Sequence, residues 1–272
     1  MEYKQIHCDS LIKKITKKDT LFNGNYCIDP YQNCEFGCLY CDSSFDKTIY
    51  IKKNAAEILK NELQSLEKGV IIVGSVHDPY QNVEKTYEIT KNILKIIKKY
   101  DFPCHILTKS TLVLRDINLI SSMQCTVTIS MSSLDEHITN IFEKNVPSPK
   151  KRLQTVKTLT EKNVKTGIAL IPLLPYIVES ELESIVKTTN NWNAQYILHK
   201  HLELKGEQKQ LFKEILQEHY PHLLLKYKNL YKDRFKPDET HTSKIDKKIH
   251  TYCKKYNISE KICHNEFRAI KN

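Results

Sequence analysis

The sequence lacks long hydrophobic runs. No stretch of about 18 apolar residues occurs in the 272-residue chain, so the sequence predicts no membrane-spanning helix and no membrane partner. The first residues also lack an apolar segment followed by a cleavage site, and we therefore expect no signal peptide. Repeats and low-complexity segments are missing as well. With 40% hydrophobic residues the chain can still build a core, and the sequence predicts a cytoplasmic protein.

The cysteines argue against a disulfide scaffold. Their number, nine, is odd, and without an export signal it indicates a reducing compartment. Three of them, Cys34, Cys38 and Cys41, follow the spacing C-x3-C-x2-C. Three thiolates this close can hold three corners of a [4Fe–4S] cluster, because such clusters are bound through cysteine sulfur.

A fourth ligand is missing from this cysteine motif. Its absence would leave one iron open to a small molecule. The alternative is a structural zinc site, but zinc normally takes a fourth Cys or His at short spacing. The nearest candidates are Cys27 and the distant His77. Ligand number and spacing therefore favour the iron–sulfur cluster.

The cysteine motif, with Tyr40 directly before Cys41, resembles the signature of radical S-adenosylmethionine (SAM) enzymes. Its flanks, over Asp29–Cys41, resemble the spore photoproduct lyase-like group, which is also labelled DNA repair photolyase-like. The resemblance covers about residues 25 to 200. Further matching motifs are, in chain order, Gly74–Gln81, Leu107–Ser110, Arg115–Asp116, Thr128–Ser130, Glu143, Pro147–Pro149 with Arg152, and Ile171–Pro175.

The resemblance implies a cofactor site for SAM at the open iron. Ser75, Lys109 and Ser130 would bind its carboxylate and ribose by hydrogen bonds. Lysine is usually a solvated surface residue, and the two serines could instead cap turns or helices. The prolines of Ile171–Pro175 would shape the adenine pocket.

Three further residues are candidates for a catalytic role. Tyr40 would pack over the cluster or the adenine, or else be an ordinary core residue. Asp78 and Tyr80 belong to a turn that the resemblance places at the rim of the active site. Glu143 and Arg152 are expected to form a structural pair rather than to reach a substrate.

The activity implied by the resemblance is reductive cleavage of SAM at the cluster. The resulting 5′-deoxyadenosyl radical would abstract hydrogen from a substrate, and a flavodoxin-like or ferredoxin-like donor would supply the electron. The formal net charge of +10 and the resemblance together favour a nucleic-acid base or nucleotide as substrate. A peptide or a small metabolite is the alternative. A zinc-dependent nucleic-acid-binding module and an electron carrier are the non-enzymatic alternatives, although carriers take four protein ligands per cluster.

Some positions depart from the resembled group. The group's lyase has a hydrogen-donating cysteine two residues before the position of Ser75, and here that residue is Val73. Many relatives carry an aromatic residue at the position of Asp42, which suggests a different substrate. Cys253 and Cys263 could join Cys8 or Cys27 in a second metal site, although a free cysteine is more commonly a small buried hydrophobe.

Alternating strand and helix patterns predict an α/β fold with parallel strands, arranged as a partial (β/α)6 TIM-like barrel. The expected strands are 25–29, 70–73, 104–108, 126–130, 165–171 and 196–199. The expected helices include 55–68, capped by Asn54, and 83–100. Residues 1–24 would form an N-terminal extension, 25–200 the core, and 201–272 a helical C-terminal extension. The motifs follow strand ends, where barrel enzymes place their chemistry.

Overall fold

A computed structural model describes residues 1–42 and 46–262. Within these ranges the strands are β1 (Glu2–Ile6), β2 (Lys13–Lys14), β3 (Tyr26–Ile28), β4 (Tyr31–Gln32), β5 (Thr48–Lys52), β6 (Ile71–Val73), β7 (Cys104–Thr108), β8 (Cys125–Ser130), β9 (Lys165–Leu173) and β10 (Ile197–His201). The α-helices are α1 (Ala55–Glu62), α2 (Glu84–Tyr87), α3 (Ile89–Lys99), α4 (Ile117–Ile120), α5 (Glu136–Phe142), α6 (Pro149–Glu161), α7 (Leu182–Asn191), α8 (Gly206–His219), α9 (Leu224–Tyr231) and α10 (Glu239–Lys255).

The main sheet is built from parallel strands, as the alternating pattern predicts. Its order is β10-β9-β8-β7-β6-β3-β2, in which the first six are parallel to their neighbours and β2 is antiparallel to β3. All six predicted strands are present within a few residues of their expected limits. The α/β class is therefore confirmed. Within the described residues the hydrogen-bonded ladder runs from β2 to β10, and these two end strands do not pair with each other.

The two faces of this sheet differ. On the outer face, Ile106, Val127 and Ile168 pack with helical residues such as Ile93 and Val156 in one apolar core. Alternation along each strand sends the neighbouring side chains to the inner face. The inner face leads, at the carboxyl ends of the strands, to the site described below.

The inner face contains a buried polar chain. His105 Nε2 is 2.6 Å from Thr128 Oγ1, which is 2.7 Å from the Tyr196 hydroxyl. Gly167 is required beneath the Tyr196 ring, since a Cβ there would lie 2.2 Å from Cε2. Lys109, directly after β7, and Ser130, the last residue of β8, lie farther along the same face, because they follow His105 and Thr128 at even spacing.

Two predicted helices differ in detail. Asn54 does not cap α1, because its side-chain oxygen accepts from Cys8 N and its amide donates to Cys8 O, both at 2.9 Å. The predicted helix 83–100 is interrupted at Glu88, whose φ is 49°. The buried Glu84 carboxylate causes this break by accepting hydrogen bonds from Thr90 N and Lys91 N at the start of α3.

The flanking regions pack onto the sheet. In the N-terminal region β1 pairs with β5 in a small second sheet, β1-β5-β4. Beyond β10 the described chain is helical up to α10, and this region shares an apolar core with α5, α7 and the cysteine motif. None of the described helices combines the length and apolar character needed to cross a membrane.

Candidate cofactor site

The cysteine loop, defined here as residues 33–42, follows β4 and is held by its own polar residues. Glu35 N donates to Gln81 Oε1 at 2.8 Å, and the Glu35 carboxylate accepts from Val83 N at 3.0 Å and from the Tyr3 hydroxyl. Gly37 has a φ of 57°, a backbone conformation that favours glycine. These contacts tie the loop to the segment that follows β6.

A cavity of about 290 Å³ lies beside this loop, at the carboxyl ends of the parallel strands. Eight of the nine predicted site residues line it: Cys34, Cys38, Tyr40, Cys41, Ser75, Asp78, Lys109 and Ser130. Ile171 and Pro172, from the predicted adenine-pocket segment, and Asp42 line it as well. The structure thus brings together residues that are almost 100 positions apart in the sequence.

Lys109 is the cation of this cavity wall. Its Nζ donates to Ser130 Oγ at 3.0 Å and lies 5.8 Å from the centroid of the Tyr40 ring. Burial acts to lower the pKa of Lys109, but Cys38, Glu143 and other nearby acidic groups outweigh it, and the net pKa is raised. Lys109 is therefore charged, and it is not the solvated surface lysine of the alternative interpretation.

Ser75 is positioned by a residue that sequence reasoning did not single out. Asp29, directly after β3, accepts from Ser75 Oγ at 3.1 Å and from the backbone N of Val76 and His77 at 3.0 and 3.1 Å. Lys52 Nζ donates to the Asp29 carbonyl at 2.8 Å. Asp29 thus fixes the loop after β6. Its position at the end of the predicted strand 25–29 is the feature of the sequence that could have marked it as a site residue.

Asp78 lines the cavity, but its carboxylate is already engaged. One oxygen accepts from Tyr80 N at 2.9 Å and from Thr108 Oγ1 at 2.6 Å, and the other accepts from Lys109 N at 2.7 Å. Burial raises the pKa of Asp78 despite these hydrogen bonds. The contacts suit a residue that positions the Lys109 backbone, and a direct catalytic role stays a prediction.

Tyr40 is tied to a buried ion pair. Its hydroxyl donates to Glu143, whose other carboxylate oxygen accepts from Arg152 at 2.6 Å. Arg152 also donates to the carbonyl of Ser130 at 2.9 Å. Burial alone would raise the pKa of Glu143, but Arg152 and Lys109 lower it below its usual range, so Glu143 is ionised. This chain links the cysteine loop to the end of β8, and the expected Glu143–Arg152 pair is present.

Tyr80 is not part of the cavity. The side chain is buried, and its hydroxyl donates to Asp116 Oδ2 at 3.1 Å. Asp116 also pairs with Arg115 at 2.7 Å. The structure therefore does not support Tyr80 at the rim of the site, because the turn that Asp78 begins directs the Tyr80 ring into the core.

The cysteine sulfurs are not gathered around the position of a single ion. A tetrahedral zinc with Zn–S bonds of about 2.3 Å holds its sulfurs roughly 3.8 Å apart. Within residues 1–42 and 46–262, three possible ligand atoms lie within 4.8 Å of one another only at His199, His201 and Asp246, so the three cysteine sulfurs are more widely spread. The three sulfurs are therefore not in the arrangement of a preformed tetrahedral zinc site.

Burial also affects the metal-free thiols. It raises the pKa of Cys34 to about 12 and the pKa of Cys38 as well. These thiols are therefore protonated without a metal, and metal binding must displace their protons. Two cysteines were suggested for a second metal site. Cys253 is buried in an apolar core, and Cys263 lies outside the described residues.

The sequence pattern of the radical SAM superfamily matches residues 28–189, a span that includes the cysteine loop and the strands whose ends line the cavity. The chain belongs to the radical SAM superfamily. Membership implies a [4Fe–4S] cluster and SAM, and both agree with the residues at the cavity. The resemblance to the spore photoproduct lyase-like group agrees with the structural similarity of the chain to spore photoproduct lyase.

Relatives and solved structures extend this result. An uncharacterized protein of Methanocaldococcus jannaschii is 30% identical over 220 residues, which are 77% of this chain and 82% of that protein. An uncharacterized protein of Mycobacterium tuberculosis is 25% identical over 251 residues, 85% of this chain and 74% of that protein. Spore photoproduct lyase complexed with dinucleoside spore photoproduct has a TM-score of 0.71 at 14% identity, covering 93% of this chain and 79% of that one.

A second solved fold is also similar. SuiB of Streptococcus suis bound to S-adenosylmethionine has a TM-score of 0.60 at 12% identity, covering 86% of this chain and 48% of that one. At such identities the structural likeness shows a shared fold. The activity of the present chain must be argued from its own residues.

The cavity includes residues at and beyond the end of the predicted core that sequence reasoning missed. Lys200 and His201 of β10, and Lys205 and Gln208 farther along the chain, line it, and Gln208 is a buried polar residue on α8. No spacing or motif marked them. The C-terminal helices therefore contribute to the site itself.

Gly74 is expected to be needed for the loop that carries Ser75. Its φ is 85°, and a Cβ there would lie 2.3 Å from Pro79 Cδ and 2.9 Å from the Leu107 carbonyl oxygen. Gly206 has a φ of 50° but no described atom within 4 Å of such a Cβ. Gly74→Ala should therefore lower the free energy of unfolding by about 2 kcal/mol more than Gly206→Ala, measured by denaturant titration. Equal losses in the two variants would contradict this packing argument.

Proposed function

We propose that this protein is an enzyme that binds a [4Fe–4S] cluster on Cys34, Cys38 and Cys41 and cleaves SAM reductively beside it. One observation carries the proposal: the three cysteines share a cavity with Lys109 and the two predicted SAM-binding serines, and among the described residues no fourth cysteine lines it. Bound together, the reduced cluster and SAM supply a 5′-deoxyadenosyl radical able to abstract hydrogen from a substrate. We also interpret the six parallel strands as a partial barrel around this cavity.

The residues of the chain would bind and orient SAM. Lys109 offers a fixed positive charge, suited to the carboxylate of SAM. Ser75 and Ser130 offer hydroxyls on either side of it, each held by a hydrogen bond within the protein. Tyr40 places an aromatic face beside Lys109, and Ile171 and Pro172 add an apolar wall to the cavity. An external flavodoxin-like or ferredoxin-like protein is proposed as the electron donor.

Lys109→Met is expected to weaken SAM binding by about 10- to 100-fold, because it removes a charge-assisted hydrogen bond while keeping an apolar side chain of similar length. The measurement is calorimetric titration of SAM into anaerobically reconstituted protein. Iron content should stay unchanged. Lys95→Met, at an exposed lysine on α3 that does not line the cavity, is the control and should bind SAM normally. Unchanged affinity in Lys109→Met would remove Lys109 from the site.

The proposed substrate is a nucleic-acid base or nucleotide. Two lysines, Lys200 and Lys205, stand at the cavity wall, and together with Lys236 they share one carboxylate, Glu203, at 3.0 to 3.9 Å. The excess positive charge suits a phosphate at the mouth of the cavity. The net charge of +10 supports the same substrate class.

The particular reaction of spore photoproduct lyase is not proposed. Val73, at the position of the group's hydrogen-donating cysteine, is fully buried in the outer core. Of the described residues around the cavity, the only thiols are the three of the cysteine motif. That reaction would require a different hydrogen donor in this chain. A peptide is the second candidate. It is favoured by the structure of SuiB bound to a precursor peptide, whose fold matches this chain with a TM-score of 0.59.

The substrate class can be tested by turnover. Reduced protein with SAM should form 5′-deoxyadenosine and methionine slowly, and DNA, RNA or nucleotides should raise that rate. With deuterated nucleic acid the label should move into 5′-deoxyadenosine. The salt dependence of binding is a weaker criterion, because any phosphate contact releases counterions. Stimulation by a peptide or metabolite fraction, with none by nucleic acids, would overturn the substrate assignment but not the SAM chemistry.

A further inference from the structure

Outside the cysteine motif, a second group of ligand side chains converges between β10 and α10. His199 Nε2 and His201 Nε2 lie 2.9 and 2.7 Å from the same oxygen, Oδ1 of Asp246. All three ligand atoms are within 4.8 Å of one another. The histidines come from the last strand of the sheet and the carboxylate from the last described helix, more than 40 residues later.

The local backbone explains how two histidines of one strand reach one point. His199 and His201 are two residues apart on β10, and alternation along a strand places such side chains on the same face. The pairing with β9 shifts its register between them, with the extra residue in β9. Their rings meet edge to face, with centroids 5.9 Å apart. Both side chains are mostly covered, whereas the Asp246 side chain is 48% exposed. The group is therefore anchored by two mostly covered imidazoles and open to solvent on the carboxylate side.

Two imidazoles and one carboxylate form a donor set that first-row divalent metals prefer. We propose that His199, His201 and Asp246 bind one Zn²⁺ through three protein ligands, with the remaining coordination completed by water. Zinc bonds of about 2.0–2.2 Å separate tetrahedral ligand atoms by roughly 3.3–3.5 Å. The nitrogen-to-oxygen distances of 2.7 and 2.9 Å must therefore lengthen by about half an ångström on binding. The half-exposed Asp246 has room to withdraw by that amount.

At this location the ion would have a structural role beside the cofactor cavity. His201 lines that cavity, while Asp246 belongs to α10, which shares an apolar core with α7. A bound ion would tie α10 to the edge strand β10. This inference is independent of the proposed SAM chemistry, because none of the three residues belongs to the cysteine loop or to the predicted SAM ligands.

The test counts metals in anaerobically reconstituted protein after incubation with zinc sulfate and desalting. Wild type should contain one zinc in addition to the iron of its cluster, by mass spectrometry. His199→Gln and Asp246→Asn preserve polar side chains but remove good zinc ligands, so each should retain its iron and bind zinc at least about tenfold more weakly. His250→Ala, which removes a surface histidine of α10 paired with Glu260, is the matched control and should keep its zinc.

Melting temperature provides a second readout. Added zinc should raise it in wild type and in His250→Ala, but not in His199→Gln or Asp246→Asn, because only a ligand of the native state stabilises it. If wild type binds no zinc, or if both ligand variants keep it with unchanged affinity, the three residues form only a hydrogen-bonded group. Zinc retained by a variant lacking Cys34, Cys38 and Cys41 would separately exclude the cysteine loop as its site.

Discussion

Replacing Cys34, Cys38 and Cys41 together by alanine is expected to reduce bound iron from about four atoms per chain to nearly none, because cysteine sulfur is the protein ligand of such clusters. The loss should appear in iron analysis and as disappearance of the broad charge-transfer absorption of the reconstituted protein. Formation of 5′-deoxyadenosine should cease with it. Each single replacement should also abolish a stable cluster, since the described part of the chain brings three thiols and no more to the cavity.

The matched control is Cys253→Ala. Cys253 is buried on α10 within an apolar core and does not line the cavity. This variant should keep the full iron content, and it also tests the suggestion of a second cysteine metal site. A triple variant that retained its iron and its absorption would place the cluster elsewhere in the chain. Iron loss in Cys253→Ala at unchanged folding would instead support a second site.

Arg152→Ala is expected to lower the free energy of unfolding by about 3–5 kcal/mol, because it leaves a buried carboxylate without its counter-charge. Arg152 is 1% exposed and Glu143 2% exposed, and their side chains meet at 2.6 Å. The substitution also removes the donor to the Ser130 carbonyl. Denaturant titration of the metal-free protein provides the measurement.

An exposed ion pair supplies the comparison for this result. Lys157 and Glu161 lie one turn apart on α6, both more than half exposed, with 3.9 Å between their charged atoms. Lys157→Ala should change stability by no more than about 0.5 kcal/mol, as is usual for surface pairs. A double replacement, Glu143→Leu with Arg152→Met, should recover part of the lost stability by removing the unpaired charge. If Arg152→Ala lost as little stability as Lys157→Ala, the Glu143 carboxylate would not be buried and dependent on Arg152 as the structure indicates.

The sequence by itself determined the parts of this protein that depend on local spacing. The three cysteines lie within eight residues, so their ability to share one cluster follows from the chain alone. The alternation of strands and helices was likewise sufficient for the α/β class and for all six parallel strands. Because parallel strands end at one edge, Lys109 and Ser130 could be predicted to lie together. Their Nζ and Oγ atoms are 3.0 Å apart.

The tertiary structure decided which polar groups meet across the chain. Asp29 secures the Ser75 loop over 46 residues, and Arg152 joins Glu143 to the end of β8. Tyr80, expected at the rim, is turned into the core, whereas Gln208 reaches the cavity from a helix without any motif. The periodicity of hydrophobic residues specifies which face of a helix or strand is buried, but not which partner it meets. Those partners depend on strand register and on how distant segments pack, and only the folded chain determines them.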